Sequence, residues 1–251
     1  MTEQHNENIE RADMPCISKA DQLSKHITGR IISGQWKPGQ LMASERQLAA
    51  EFGMSRAMVR ESVTQLVGKG VLQSRHGQGT RVCNPMAHLF DEHFGDLPQD
   101  SYELQLAVLE MRTVIDGEAA WYFCQRASAE EMQMLVSEFE RMEQRRHHAM
   151  TPLERAKADL TFHMLIAEHC HQILIISLAQ LLYSKFFNAI YGVLGRTHRR
   201  TGAYPPHIEE QHRNIFQAIC SRDAETARLA AEQHILTTRQ TLEQLEPGRQ
   251  S

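Results

Sequence analysis

The sequence predicts a mainly α-helical fold in two parts: an N-terminal winged helix-turn-helix with a small β wing, and a C-terminal antiparallel all-α bundle. Three observations support this prediction. Residues 44–83 have the pattern of helix, tight turn, helix and glycine-rich hairpin. Residues 101–245 show only helical periodicity of apolar side chains. The chain has 251 residues, which is long enough for two hydrophobic cores.

The predicted elements divide the chain into five segments. The first helix is expected from about Ser18 to Ser33, because Leu23, Ile27 and Ile31 recur at helical spacing. The expected segments are a disordered arm (1–17), the winged helix-turn-helix (18–83), a linker (84–100), the helical domain (101–246) and a tail (247–251).

Capping residues predict the helix-turn-helix itself. Ser44 is a suitable N-cap, and Gln47 three residues later completes a capping box. Gly53 is expected to end this helix, since glycine is common just beyond helix C-termini. Ser55 is expected to cap the next helix, which runs to about Gly68.

A two-stranded wing is predicted after this second helix. The strands Val71–Arg75 and Thr80–Cys83 flank a hairpin tip, His76-Gly77-Gln78-Gly79. Such a tip is thin enough to enter a minor groove. Arg56 and Arg60 leave the same face of the preceding helix, where their guanidinium groups could bind guanine edges or phosphate.

The alternative interpretation of these arginines is a solvated face on an ordinary helical hairpin. Helix-turn-helix spacing followed by a basic wing favours DNA binding instead. The expected DNA contacts are Arg46, Ser55, Arg56, Arg60, Arg75, His76 and Gly77.

These segments resemble the GntR family of bacterial transcription regulators, whose pattern is close to L-P-S-E-R-x-L-A, then S-R-x-x-V-R-E, then G-x-G-T. The matching stretches here are 42–49, 55–61 and 77–80, with Met42 and Ala43 in place of the usual Leu and Pro. The following helices resemble the ligand-binding domain of the FadR-type branch, called FCD. Together the two resemblances span about residues 19–245.

Six antiparallel helices are predicted in the second part, with Gly195–Pro206 as an irregular basic loop and a possible short helix within the linker. Capping boxes at Ser128 and Thr151 support two of the helix starts. The expected bounds are about Tyr102–Gln125, Ser128–Arg146, Thr151–His169, Gln172–Leu194, His207–Cys220 and Asp223–Leu245.

Four polar residues fall on otherwise apolar faces of these helices. Asp159 and His163 are one helical turn apart, and His212 and His234 lie on two other helices. Each histidine alone is more often a hydrogen-bonded core or surface residue than a ligand. A carboxylate and three imidazoles converging in a bundle nevertheless suit a divalent metal with open positions.

The resemblance decides between these interpretations. The FCD metal motif is Asp-x3-His, a histidine about fifty residues later and another about twenty-two after that. Here His212 follows His163 by 49 residues, and His234 follows His212 by 22. The resemblance therefore implies a metal held by Asp159, His163, His212 and His234, expected to be zinc (Zn2+), with Ni2+ or Mn2+ as alternatives.

Arg112 has two open interpretations. It could form a surface helix pair with Asp116, which would stabilise the fold little. The resemblance, through the family pattern R-x-x-I/L-E with Asp116 in place of Glu, instead puts Arg112 at the cavity. There it could bind an effector carboxylate bidentately.

Charge is unevenly distributed along the chain. The net charge is −4, but residues 14–83 hold ten Lys and Arg against four Asp and Glu. A basic first domain on an acidic body implies that only that domain meets a polyanion. The sequence has no apolar run of membrane-spanning length, and five dispersed cysteines suggest reduced thiols. We therefore expect a cytoplasmic protein without a membrane partner.

The combined prediction is a ligand-responsive, DNA-binding transcription regulator and not an enzyme. Its expected partners are palindromic double-stranded operator DNA, a small carboxylate effector such as glycolate or lactate, and a second copy in a homodimer. Two alternatives remain open. One is a metal-dependent hydrolase that uses the Asp/His set. The other is a constitutive DNA-binding protein with a purely structural metal.

Overall fold

The computed structural model describes residues 18–87, 98, 100–146, 150–201 and 207–245. The predicted arm and tail, and the part of the linker in which a short helix was predicted, lie outside these described residues. Within them the chain forms ten helices and one two-stranded sheet.

Three helices and a hairpin form the first group of elements. Their bounds are α1 Lys19–Ile32, α2 Glu45–Phe52, α3 Arg56–Gly68, β1 Leu72–Arg75 and β2 Gly79–Val82. Their apolar faces share one core that includes Leu23, Ile27, Leu48, Val59 and Leu66.

Local hydrogen bonds begin and end these helices where the sequence predicts. The Ser44 hydroxyl accepts from the Gln47 backbone N–H, and the Gln47 side chain accepts from the Ser44 backbone N–H, which is the predicted capping box. Gly53 ends α2 in the left-handed conformation, with φ of 61°. The Ser55 hydroxyl accepts from the Met58 backbone N–H and thereby fixes the first turn of α3.

The wing is a short antiparallel hairpin. Leu72 pairs with Val82 at its base, and Arg75 pairs with Gly79 at its tip. The first strand begins one residue later than predicted, and the second begins and ends one residue earlier. Gly77 and Gly79 have φ of 73° and 82°, which explains why glycine suits these two turn positions.

Seven helices form the second group. They are α4 Tyr102–Arg126, α5 Ala129–Arg146, α6 Pro152–Glu168, α7 Ile173–Lys185, α8 Phe187–Thr201, α9 Ile208–Cys220 and α10 Ala224–Leu245. The long helices α4 and α10 pack along each other, and α9 packs against α10. Leu135, Phe162, Ile176 and Ile215 lie fully buried in the core between the helices.

The single helix predicted over Gln172–Leu194 is wrong. The chain breaks at Phe186, and α7 and α8 meet at an angle of 69°. Phe186 is buried in the bundle core, so packing rather than glycine or proline sets this bend. Apolar periodicity continues through the break and therefore could not reveal it.

The predicted loop Gly195–Pro206 is also wrong over its first half, because α8 continues to Thr201. Thr197 is buried and donates to the Val193 carbonyl inside this helix. A Cβ at Gly192 would lie 2.5 Å from Nε2 of Gln105 on α4. The glycines of α8 thus do not end the helix, and Gly192 permits a close approach to α4.

The two groups of elements touch through α7 and the start of α5. Gln180 donates to the Pro38 carbonyl, and Asn84 donates to the Ser177 carbonyl. Lys37 lies 3.7 Å from the carboxylate of Glu131. Among the described helices none alone has the length and apolarity to cross a membrane, although α7 and α8 meet that criterion together as a bent pair.

Candidate metal centre and nucleic-acid interface

The seven predicted DNA contacts all lie exposed on the first domain. Arg46 at the start of α2, Arg56 at the start of α3 and Gly77 at the wing tip line one surface groove. The structure thus brings α2, the N-terminus of α3 and the wing tip to one side of the domain. Arg75 and His76 extend the same tip.

Arg60 has an anionic partner that the sequence analysis missed. Its Nε and one terminal nitrogen donate to the Glu45 carboxylate at 3.2 and 3.1 Å. The Arg60 side chain remains 67% exposed. Glu45 therefore orients the guanidinium of Arg60 without removing it from the surface.

The four predicted metal ligands converge in the second domain. Asp159, His163, His212 and His234 are all buried, and one ligand atom from each lies within 4.8 Å of the others. They come from α6, α9 and α10. Nε2 of His212 lies 2.9 Å from Oδ1 of Asp159 and 3.3 Å from Nε2 of His163.

These spacings fit a divalent cation. Ligand atoms about 2.1 Å from a zinc ion at tetrahedral angles are about 3.4 Å apart. Oδ1 of Asp159 is buried and accepts no hydrogen bond of good geometry, although Nε2 of His212 lies close to it. A buried carboxylate oxygen without a donor is costly, and a cation placed among these atoms would offset that cost.

The protonation states suit the same role. Burial lowers the pKa of the His163 and His234 imidazoles well below their usual range. Burial opposes ionisation of Asp159, but the close approach of the His212 imidazole at 2.9 Å and the other two histidines outweigh it and hold the pKa of that carboxyl well below its usual range. At neutral pH His163 and His234 are therefore neutral and Asp159 is a carboxylate, which are the forms that bind metal.

Two further side chains lie near the Nδ1 atoms of His234 and His163. Nδ1 of His234 lies 3.0 Å from Oε1 of Gln211, so it carries the proton and leaves Nε2 towards the cluster. Nδ1 of His163 lies 3.5 Å from Oδ2 of Asp116. Sequence reasoning missed both contacts. For Gln211, the sequence shows only that it directly precedes His212 on the same helix.

The surface interpretation of Arg112 is wrong. Arg112 and Asp116 are 2% and 4% exposed, and the guanidinium donates twice to Oδ2 of Asp116, at 3.0 and 3.2 Å. The Tyr183 hydroxyl donates to the other oxygen of Asp116 at 2.5 Å. Burial raises the pKa of Asp116, although Arg112 opposes this. The guanidinium of Arg112 is thus already engaged inside the bundle.

Comparison with known proteins settles the family. The model of the "Bacterial regulatory proteins, gntR family" matches residues 19–82, and the FCD domain model matches residues 107–237. The chain belongs to the GntR family of transcription regulators and carries an FCD domain. This confirms the predicted family and the interpretation as a regulator rather than a hydrolase.

Several named proteins are similar over most of the chain. The Glc operon transcriptional activator of Escherichia coli is 26% identical, with 89% of each chain covered. An Escherichia coli protein assigned as a regulatory protein of the L-lactate dehydrogenase operon is 27% identical over 90% of this chain and 87% of its own. The solved structure of Streptococcus agalactiae GntR covers 88% of this chain and 99% of its own, at 20% identity and TM-score 0.47.

The buried Arg112–Asp116 pair should contribute strongly to stability. We expect Arg112→Met to lower the free energy of unfolding by about 3–5 kcal/mol, because Asp116 would keep a buried charge without its cation. Urea denaturation followed by circular dichroism measures the change.

Arg239→Met is the matched control. It breaks the Arg239–Glu243 pair, which has the same spacing but is partly exposed. We expect that variant to lose about 1 kcal/mol or less. Equal losses in the two variants would contradict the role assigned to burial.

Proposed function

We propose that this regulator binds operator DNA through its first domain and responds to a small carboxylate bound at a divalent metal in its second. The observation that carries the proposal is the buried Asp159/His163/His212/His234 cluster, in a chain whose other domain exposes an arginine-lined helix-turn-helix and wing. Ligand-dependent control of transcription needs an effector site and a DNA-binding site that are coupled in one protein.

In the proposed DNA complex, α3 lies in a major groove and the wing tip enters the adjacent minor groove. Arg56 and Arg60 then face base edges, while Arg46 and the Ser55 hydroxyl are near phosphates. Arg75, His76 and Gly77 form the part of the wing that reaches the minor groove. The exposure of all seven residues supports this arrangement.

Loss of either base-reading arginine should weaken specific binding. We expect Arg56→Ala and Arg60→Ala each to weaken operator binding by about 1–3 kcal/mol, because each removes a bidentate contact. Both side chains are exposed, so thermal stability should hardly change. Fluorescence anisotropy on an operator selected from random DNA measures the affinity.

Arg213→Ala, on the second domain, is the control for loss of one positive charge. Its side chain is half exposed and pairs with Glu143. Undiminished operator affinity in both Arg56→Ala and Arg60→Ala would refute the assignment of α3.

The proposed metal is zinc, with Ni2+ or Mn2+ as alternatives. Three imidazole nitrogens and one carboxylate oxygen form a donor set that zinc and nickel favour, whereas more oxygen would favour manganese. The metal would supply a Lewis-acidic centre with positions left for an effector. The lowered pKa values of His163 and His234, which keep these two imidazoles neutral at physiological pH, support this site.

Purified native protein should carry about one divalent ion per chain. We expect His163→Ala to lose that ion, because it removes one of four ligands, and chelation of the native protein to lower its thermal stability by mass action. Elemental mass spectrometry and thermal unfolding measure the two effects.

His207→Ala controls for loss of a histidine, since His207 lies outside the cluster with its side chain 74% exposed. Retention of the full metal content by His163→Ala would refute the site. So would native protein that contains no divalent ion.

The proposed effector is a small hydroxy- or keto-carboxylate, such as glycolate or lactate. A carboxylate with an adjacent oxygen can chelate a metal that has open positions. Arg112 is a buried cation close enough to act electrostatically on Asp159 and His163, and a bound effector carboxylate would share its guanidinium with Asp116. The L-lactate dehydrogenase operon named for one relative is consistent with this chemical class. A thermal-shift screen of small acids, with and without chelator, tests the effector and would expose a purely structural metal.

We also propose that the protein acts as a homodimer that reads a palindromic operator. Met111 and Val114 lie exposed on one face of α4, one turn apart, and we place the contact with the second copy on this apolar pair. We expect Val114→Glu to shift the dimer towards monomer, because it places a charge in that contact.

Analytical ultracentrifugation measures the shift. Leu153→Glu is the control, because it places the same charge at an exposed apolar residue on α6, outside the proposed contact. Native protein that is monomeric at operator-binding concentrations would contradict dimerisation. A Val114→Glu dimer as stable as the native one would contradict this interface.

A further inference from the structure

Helix α7 touches both domains of the protein. At its N-terminal end Ile173 packs against the core of the first domain. Further along, the Ser177 carbonyl accepts from Nδ2 of Asn84 at 3.0 Å, and Nε2 of Gln180 donates to the Pro38 carbonyl at 3.2 Å. One turn later Tyr183 faces the interior of the second domain, where it is 6% exposed.

The first domain holds the start of this helix at close range. Gly34, just after α1, has φ of 71°, and a Cβ there would lie 2.8 Å from the Cα of His171. His171 stands two residues before α7. Because backbone meets backbone here, a displacement of α7 cannot be absorbed by a side chain rotating out of the way.

From Tyr183 a short series of contacts leads to the candidate metal cluster. The Tyr183 hydroxyl donates to Oδ1 of Asp116 at 2.5 Å. Oδ2 of Asp116 lies 3.5 Å from Nδ1 of His163. Burial raises the pKa of Tyr183 well above its usual range, so the hydroxyl keeps its proton and remains a donor. Asp116 thus connects a candidate ligand to α7 directly.

We propose that Asp116 and Tyr183 are positioning residues that link the metal centre to the DNA-binding domain through α7. The inference rests on the proposed metal site. When Nε2 of His163 serves as a ligand, its Nδ1–H becomes a stronger donor towards Asp116. The 3.5 Å separation exceeds a good hydrogen bond by about 0.6 Å, so the two groups have room to approach. Asp116 would carry the Tyr183 hydroxyl, and with it α7, in that direction.

The test uses full-length protein, Zn2+ alone as the probe, and hydrogen exchange of the turn at residues 36–40 as the readout. That turn lies against Gln180 and far in sequence from the cluster. We expect saturating zinc to change exchange there by about threefold or more in native protein, because the turn follows α7. Tyr183→Phe, which removes only the hydroxyl, should bind zinc at saturation but lose the change.

Two further variants make the test specific. Tyr191→Phe removes a hydroxyl from α8 and should respond like native protein. Gln180→Leu removes the contact to Pro38 without touching the cluster, and should also lose most of the response. Because both changes interrupt one route, Tyr183→Phe combined with Gln180→Leu should show no further loss.

The outcomes separate this inference from the proposed function. Native protein that takes up no zinc would refute the metal site itself. Zinc uptake with no change at residues 36–40 in native protein would refute the inference alone. An undiminished response in Tyr183→Phe would do the same, since the series of contacts would then not be needed.

Discussion

The carboxylate of Asp116 is the group on which the interior of the second domain depends. Arg112, Tyr183 and His163, from three helices, approach its two oxygens. A buried carboxylate is costly unless charge and hydrogen bonds offset its lost hydration. Here the offsetting partners also fix how α4, α6 and α7 meet. Asp116 therefore contributes to the packing of the bundle and also approaches His163, one residue of the candidate metal cluster.

The candidate metal cluster is an arrangement of polar groups that the polypeptide alone satisfies poorly. It places one carboxylate and three imidazoles where water is excluded, and Oδ1 of Asp159 is left without a well-placed donor. Apolar side chains at these positions would pack with less cost. The cost is consistent with binding, since a cation would bring together four side chains from three helices that otherwise gain little from their proximity.

Local signals predicted the first domain accurately, because caps and turns are short-range chemistry. Ser44, Ser55 and Gly53 begin or end helices through hydrogen bonds and backbone conformations within a few residues. The four cluster residues were found through spacing and family resemblance. The bend at Phe186 was not, because it depends on packing between distant helices. The sequence also left the burial of Arg112 open, because the i,i+4 spacing of Arg112 and Asp116 is the same at a surface as in a core.

The pairing of Arg60 with Glu45 bears on how the protein would search a genome. An arginine already neutralised by a carboxylate adds little net charge, so it contributes little to the release of counterions that attracts a protein to any DNA. Its oriented guanidinium still suits a guanine edge. In the proposed complex, loose binding to arbitrary sequence then depends on the other arginines. In that complex Arg60 would raise the ratio of operator to random-sequence affinity, which is the quantity that matters when many other sites compete.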